Sequence, residues 1–75
     1  MIHVVVKGTK TVEEYKAVRE SMIREAARSS AAHMDCTEEW THGDPVKIWR
    51  DSSGVICIEY ESGEWWHYNN QGEWW

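Results

Sequence analysis

Hydrophobic and polar residues alternate most regularly over the last thirty residues of the chain, from Val46 to Trp75. Three times in this stretch, a few residues typical of strands run into a short polar segment that ends in glycine, at Gly54, Gly63 and Gly72. The glycines are nine residues apart, which fits a strand of about five residues followed by a four-residue turn. This spacing predicts a β-meander of four strands.

The turn residues predict how neighbouring strands pair. An Asp or Asn at the first turn position, as at Asp51 and Asn69, caps a type I turn, and a glycine at the fourth position adopts the left-handed conformation of a G1 bulge. In this bulged register, the first turn residue pairs with the residue that follows the glycine. The expected pairs are Asp51 with Val55, Tyr60 with Glu64, and Asn69 with Glu73.

Alternation outward from these pairs sorts the strand side chains onto two faces. The expected core face is largely apolar and consists of Val46, Ile48, Arg50, Ile56, Ile58, Tyr60, Glu64, Trp66, Tyr68 and Trp74. The opposite face is mixed, is expected to meet solvent and consists of Lys47, Trp49, Asp51, Val55, Cys57, Glu59, Trp65, His67, Asn69, Glu73 and Trp75. Without the bulges both faces would be half polar, which favours the bulged register.

A helix is predicted between Thr11 and His33 or Met34. Thr11 is a good N-cap residue, and Glu14 three positions later completes a capping box. Residues at helical spacing form one stripe that is expected to face the sheet: Val12, Tyr15, Val18, Met22, Ala26 and Ser29. The second half of the helix carries small side chains, which would let it lie close against the sheet.

These elements predict one α+β domain over residues 1 to 75, with the order β-α-β-β-β-β and a long helix packed on one face of a mostly antiparallel sheet. The first strand, Ile2 to Lys7, is rich in β-branched residues. It joins either beside Val46 to Arg50 or at the far edge beside Glu73 to Trp75, and the pattern leaves this open. The segment from Asp35 to Pro45 is expected to be a loop whose Trp40 covers one end of the core.

Charge is unevenly distributed along the chain. All eight Lys and Arg residues precede Asp51, whereas five of the thirteen acidic residues lie from Asp51 onward, and the net charge is −5. The aromatic end is therefore also the acidic end, which argues against binding of a nucleic-acid backbone. The sequence shows no signal peptide and no apolar stretch near the ~20 residues of a membrane span, so we expect a cytoplasmic protein, without a membrane partner, whose Cys36 and Cys57 are free thiols.

The solvent-facing side of the predicted sheet is the best candidate for a binding surface. In the bulged register Trp49, Cys57, His67 and Trp75 form one row across the sheet, and Glu59 lies opposite both Lys47 and Trp65. The candidate surface consists of Trp49, Cys57, Glu59, Trp65, His67 and Trp75. Exposed Trp rings commonly mark an interface or a ligand platform, unless the loop with Trp40 folds over them or the chain dimerises there.

Other candidate chemistry is weaker. Cys57 beside His67 is compatible with an activated thiol, but no third orienting residue accompanies them, and a space-filling role is favoured. A zinc site is an alternative, because His33 and Cys36 are three apart and His42, Cys57 and His67 are further ligand types. The carboxylates of Glu59, Glu61, Glu64 and Glu73 cluster at turns, where charges normally keep a small sheet soluble. We therefore predict no catalytic residue, metal or cofactor.

Two stretches resemble known proteins. The segment from Gly63 to Gly72, with its Glu-Trp-Trp-His-Tyr run, resembles one hairpin of choline-binding and related cell-wall-binding repeats. Those modules are secreted tandem arrays, whereas this chain has a long predicted helix and no export signal. The whole chain, and especially Val55 to Trp66, is similar to small uncharacterised proteins encoded on bacterial conjugative transposons, a resemblance that implies no activity.

The sequence thus predicts a non-enzymatic domain that contacts a protein partner, or a second copy of itself, through the Trp-bearing face. The first alternative is a platform for a sugar or cationic ligand on the same tryptophans, flanked by Glu59 and Glu73. The second is a thiol or metal site at Cys57 and His67.

Overall fold

One helix and four strands are formed in the part of the chain that the structure, a computed structural model, describes, residues 2 to 75. They are β1 (His3–Val4), α1 (Val12–Asp35), β2 (Pro45–Arg50), β3 (Ile56–Tyr60) and β4 (Trp65–Tyr68). The sheet order is β1-β2-β3-β4, with β1 parallel to β2 and the other pairs antiparallel. The predicted α+β fold with one helix against a mostly antiparallel sheet is confirmed.

The bulged register is also confirmed. In the first turn, the N–H of Gly54 donates to the carbonyl of Asp51 over 3.0 Å, and the N–H of Asp51 donates to the carbonyl of Val55 over 3.0 Å. The same pattern recurs at the second turn, and the N–H of Asn69 donates to the carbonyl of Glu73 at the third. Gly54, Gly63 and Gly72 have φ values of 85°, 91° and 82°, as a G1 bulge requires.

The last predicted strand is shorter than expected. Residues 73 to 75 form one isolated bridge, between Tyr68 and Trp74, and the backbones of His67 and Trp75 exchange two hydrogen bonds of 3.0 and 3.2 Å. Three residues after the turn are enough for this bridge but not for a full ladder. The meander therefore has three full strands and one bridged segment, although every predicted pair in it is present.

The position of the first strand, which the sequence left open, is beside β2. His3 pairs with Lys47 and Val4 with Ile48, and the N–H of Val5 donates to the carbonyl of Ile48 over 2.8 Å. The strand is shorter than the predicted Ile2 to Lys7, because beyond that bond the chain leaves the sheet toward the start of the helix.

The core lies between α1 and the predicted core face of the sheet. Its buried apolar residues are Val4, Met22, Ala26, Ile48, Ile56, Ile58, Tyr60 and Tyr68, with Ile2, Val6, Ile23, Met34, Trp40, Trp66 and Trp74 packed around them. Arg50, also on this face, reaches the helix and forms a 2.7 Å ion pair with Glu25. Trp40 covers one end of the core as expected.

The assignment to the core face is correct for the buried residues named above, but Glu64, assigned to the same face, is exposed. Val46 is only half-buried and lies where the pairing of β2 with β3 shifts between Pro45 and Lys47.

The helix begins where the sequence predicts. The Thr11 hydroxyl accepts a hydrogen bond of 3.1 Å from the N–H of Glu14, which is half of a capping box. The Glu14 carboxylate accepts from the N–H of Lys10 over 2.8 Å instead of from that of Thr11. Both acceptors satisfy backbone donors at the positive end of the helix.

The predicted apolar stripe of the helix is wrong in its first half. Met22 and Ala26 are buried, but Val12 is 64 % exposed and Tyr15 and Val18 are also exposed. A helix of 24 residues is about 36 Å long at 1.5 Å per residue, whereas strands of four to six residues span only about 13 to 20 Å. The first turns of the helix therefore extend past the sheet and have nothing to pack against.

The second half of the helix buries two polar residues that the stripe did not include, Ser30 and His33, whereas Ser29, which the stripe did include, is only half-buried. His33 lies in the core, where its Nδ1 is 2.7 Å from the hydroxyl of Tyr68, and that hydroxyl is 2.7 Å from the hydroxyl of Tyr60. The His33 ring stacks on Trp74, with centroids 4.5 Å apart, and meets Trp66 edge to face at 4.9 Å. The hydrogen-bonded chain satisfies three buried polar groups at once.

We expect Gly43→Ala to lower the free energy of unfolding more than Gly54→Ala does. Gly43 and Gly54 both have left-handed φ values, of 79° and 85°, so alanine at either costs about 1 kcal/mol of stability. An added Cβ at Gly54 meets nothing within 4 Å, but at Gly43 it would lie 2.8 Å from the Glu61 Cβ. The overlap adds about 1 to 3 kcal/mol to the cost of Gly43→Ala. Urea unfolding of both variants measures the difference, and equal costs would contradict the packing at Gly43.

The burial of His33 predicts that stability falls in mild acid. Burial, with a smaller contribution from nearby His42, lowers the pKa of His33 below its ordinary value of 6.5. Below that pH the unfolded chain binds more protons than the folded chain, so the free energy of unfolding decreases as the pH falls from neutral through the lowered pKa. Urea unfolding at a series of pH values should show this slope. The slope should flatten in His33→Gln and persist in His3→Gln, and a slope that survives His33→Gln would contradict the assignment.

Candidate functional site

The strand register assembles the predicted binding residues on the sheet face opposite the helix. Trp49 pairs with Cys57, and Cys57 pairs with His67. Trp75 lies next to His67 through two backbone hydrogen bonds, and Glu59 pairs with Trp65. We call this surface the tryptophan face: Lys47, Trp49, Cys57, Glu59, Trp65, His67 and Trp75.

The aromatic rings of the tryptophan face contact one another in a continuous series. The Trp49 and Trp65 centroids are 5.3 Å apart, and those of Trp65 and His67 are 5.0 Å apart. The rings of His67 and Trp75 stack at 5.0 Å with only 3° between their planes. Trp65 is 48 % exposed and Trp75 is 56 % exposed, so these two rings present a wide apolar surface to solvent.

Lys47 extends the aromatic series at its other end. It pairs with Glu59 across the strands, as the register predicted. Its ammonium group, however, lies 5.3 Å from the centroid of the Trp49 ring, so it makes a cation–π contact with Trp49 rather than an ion pair with Glu59. The carboxylate of Glu59 is therefore not held by this lysine.

The loop before β2 does not cover the tryptophan face. The ring of Trp40 lies on the helix side of the sheet, where it meets Tyr60 at 4.9 Å edge to face and lies near Trp66. Its indole N–H donates to the carbonyl of Gly43 over 2.7 Å, which holds the ring in place. This excludes one of the explanations that the sequence allowed for the exposed tryptophans.

Cys57, which the sequence assigned to the solvent-facing side, is instead fully buried, because its small side chain lies between the larger side chains of its partners Trp49 and His67. Burial raises the pKa of its thiol, and the nearby Asp51 carboxylate raises it further. The raised pKa keeps the thiol protonated near neutral pH, whereas a cysteine nucleophile needs the thiolate. Both effects oppose formation of the thiolate that His67 would have to generate as a base, so the structure does not favour thiol catalysis.

Asp51 joins Cys57 and His67, and the sequence reasoning did not include it among the site residues. Its Oδ1 accepts hydrogen bonds from the N–H and the hydroxyl of Ser53, at 2.9 and 2.7 Å, and from the N–H of Val55 at 3.0 Å. The Ser53 hydroxyl contributes most to lowering the pKa of this carboxyl group. Its Oδ2 is 3.8 Å from Nε2 of His67.

The predicted register already put Asp51 on this face, diagonal to Cys57. Side chains at diagonal positions of neighbouring strands can contact each other, and this was the signal that could have identified Asp51 as part of the site.

Of the alternative zinc ligands, the structure brings Cys57 and His67 together, but it does not join His33 and Cys36 to them. His33 is hydrogen-bonded to Tyr68 inside the core, whereas Cys36, three residues later, is exposed. Within residues 2 to 75, the one group of three potential metal ligands with close donor atoms is Asp51, Cys57 and His67. The His33 and Cys36 pair predicted from spacing is therefore not part of this group.

The turn carboxylates have local structural partners. Glu61 accepts a hydrogen bond of 2.8 Å from the N–H of Asp44, and Glu73 accepts one of 2.8 Å from the side chain of Asn69. Glu64 lies 3.7 Å from the imidazole of His42. These contacts give Glu61, Glu64 and Glu73 local partners in turns and loops, a role that the sequence did not predict.

No protein-family model, curated protein or solved structure matches this chain at a significant level. The resemblances to cell-wall-binding hairpins and to proteins of conjugative transposons therefore stay predictions. In the part of the chain that the structure describes, no helix combines the length and the apolar character needed to cross a membrane.

The two cysteines are expected to differ in reactivity. Cys36 is exposed and Cys57 is buried with a raised thiol pKa, so iodoacetamide should modify only Cys36 in the folded protein at neutral pH. In Cys36→Ser the reagent should be consumed only after denaturant is added, whereas Cys57→Ser should react like the wild type. Intact-mass measurement over time gives both rates, and comparable rates at the two positions in folded protein would contradict the burial of Cys57.

Proposed function

We propose that this protein is a non-enzymatic interaction domain whose contact surface is the tryptophan face. The observation that carries the proposal is the exposure of Trp65 and Trp75 by about half, in a continuous aromatic series with Trp49 and His67. Large contiguous apolar patches on small soluble domains commonly mark interfaces, and Trp is enriched among the residues that dominate interface energies.

The charges of the tryptophan face favour a second copy of the chain as the partner. The positive charge of the face, Lys47, lies on β2, whereas the negative charges lie toward the other edge of the sheet, with Glu59 on β3 and Glu73 beyond β4. A two-fold axis parallel to the strands, between β2 and β3, brings Lys47 of one copy over Glu59 of the other, twice per dimer. Such an isologous contact is the commonest way in which identical chains associate, and two sheets pack face to face about 10 Å apart.

Nucleic acid is a poor fit for this surface. The segment from Asp51 onward, which supplies most of the face, has five carboxylates and no Lys or Arg. Stacking of bases on Trp rings needs an accompanying positive groove that follows the phosphates.

Sedimentation velocity at several protein concentrations tests self-association and the contribution of the exposed tryptophans. The wild type should sediment faster as its concentration rises, and Trp65→Ser should shift this transition to concentrations at least about tenfold higher, because it removes an exposed aromatic anchor. Tyr15→Ser, on the uncovered start of the helix, is the matched control and should behave like the wild type. A wild type that stays monomeric throughout would contradict self-association.

A charge exchange tests the proposed arrangement of the two copies. Lys47→Glu and Glu59→Lys should each weaken self-association, because each puts like charges opposite one another in the dimer. An equimolar mixture of the two variants should associate like the wild type, because both intermolecular contacts are then between opposite charges. If the mixture associates no more tightly than the separate variants do, this axis is excluded.

The ligand platform is tested by titrating sugars and cationic ligands while the Trp fluorescence is followed. If the protein is monomeric and one of these ligands changes the fluorescence, the ligand platform replaces the dimer.

A further inference from the structure

Three different metal-binding side chains converge at the centre of the tryptophan face. The thiol of Cys57, a ring nitrogen of His67 and a carboxylate oxygen of Asp51 all lie within 4.8 Å of one another. We propose that these three residues bind a zinc ion, a role separate from the contact surface that the tryptophans provide.

The His67 ring is oriented as a metal ligand requires. Its Nδ1 is 3.3 Å from the carbonyl oxygen of Trp75, and because a carbonyl only accepts, Nδ1 must carry the proton of that hydrogen bond. Nε2 then has its lone pair free, and it is the atom that faces Asp51, at 3.8 Å from Oδ2. Histidines that bind metals almost always donate their other N–H to a carbonyl or carboxylate in this way. Stacking on the Trp75 ring also fixes the ring plane.

The Asp51 carboxylate is divided between two roles. Oδ1 accepts three hydrogen bonds from Ser53 and Val55 in the turn, so the position of the carboxylate is set before any ion binds. Oδ2 has no part in these bonds and points toward His67. A ligand held in place by other hydrogen bonds loses little conformational entropy when the metal binds.

The donor set favours zinc over harder cations. Thiolate, imidazole and carboxylate are all zinc ligands, whereas Mg²⁺ and Ca²⁺ prefer oxygen alone. A tetrahedral zinc ion with one sulfur ligand separates its ligand atoms by about 3.3 to 3.6 Å. The donors, which now lie within 4.8 Å of one another, therefore need to approach by at most about 1.5 Å. The side chains of Asp51 and His67 are 27 % and 26 % exposed, which gives an ion access from solvent.

Charge also fits a divalent cation. On binding, the zinc ion displaces the thiol proton of Cys57 to solvent, and the resulting thiolate and the Asp51 carboxylate together balance the two positive charges. The attraction of the thiolate and of the carboxylate to the dication outweighs their mutual repulsion. Three protein ligands leave a fourth position for water, as in zinc sites that are open to solvent.

Isothermal titration of the untagged, reduced protein with Zn²⁺ tests this site. The wild type should bind one equivalent and release about one proton at neutral pH, which is measured by repeating the titration in buffers that differ in ionisation enthalpy. Titration with Co²⁺ should produce the visible bands of a tetrahedral ion together with a thiolate charge-transfer band. Zinc should also raise the unfolding temperature, because it binds only the assembled site.

Asp51→Asn is the most informative variant, because it removes the negative charge of the proposed ligand but keeps the side-chain oxygen that caps the turn. Asn69 occupies the equivalent position of the third turn, where its Oδ1 accepts from the N–H groups of Gln71 and Glu73 at 3.0 Å each. Asp51→Asn, Cys57→Ser and His67→Gln should each weaken zinc binding at least about tenfold, and Cys57→Ser should abolish the charge-transfer band.

Two control variants distinguish this site from other ligands in the chain. Cys36→Ser and His42→Gln change the other thiol and another half-buried imidazole, and both should bind zinc like the wild type. The proposal is overturned if the wild type binds no zinc at micromolar concentrations. It is equally overturned if Asp51→Asn, confirmed as folded by circular dichroism, binds with unchanged affinity, or if Cys36→Ser alone removes binding. Monomeric protein that still binds zinc would leave this site standing and reject only the proposed dimer.

Discussion

Each hairpin of the sheet depends on one glycine in the left-handed conformation at the fourth turn position. This extra bulged residue sets the register, and because side chains alternate along a strand, a shift of one residue would exchange the two faces of every strand that follows. After such a shift at the first turn, Ile56 and Ile58 would meet solvent, and Cys57 and Trp65 would lie beneath the helix. The core, the tryptophan face and the group of Asp51, Cys57 and His67 all follow from this backbone geometry.

Alternation also explains how one small domain uses six tryptophans. The two Trp-Trp pairs are each divided by the sheet: Trp66 and Trp74 surround His33 in the core, whereas Trp65 and Trp75 lie on the opposite face. The inner rings supply apolar area where a chain of 75 residues has little to spare. The outer rings cannot contribute to this core, and they form the surface for which we propose a contact outside the chain.

Turn formation and site formation share the same side chains. Asp51 caps the first turn with one carboxylate oxygen and turns the other toward His67. His67 is in turn held by the ring and the carbonyl of Trp75, across the last bridged pair. A site built in this way is as rigid as the sheet that carries it, and both ends of it depend on the hairpin register.

The sequence by itself determined the strand register, the two faces of the sheet and the start of the helix, because glycine spacing, alternation and capping are local properties of neighbouring residues. It therefore placed Trp49, Cys57, His67 and Trp75 in one row correctly. Only the tertiary structure decided that β1 lies beside β2, that Val12 and Tyr15 extend beyond the sheet and that His33 bonds to Tyr68. These features depend on how elements of unequal length are positioned against one another in three dimensions, and no periodicity along the chain records that.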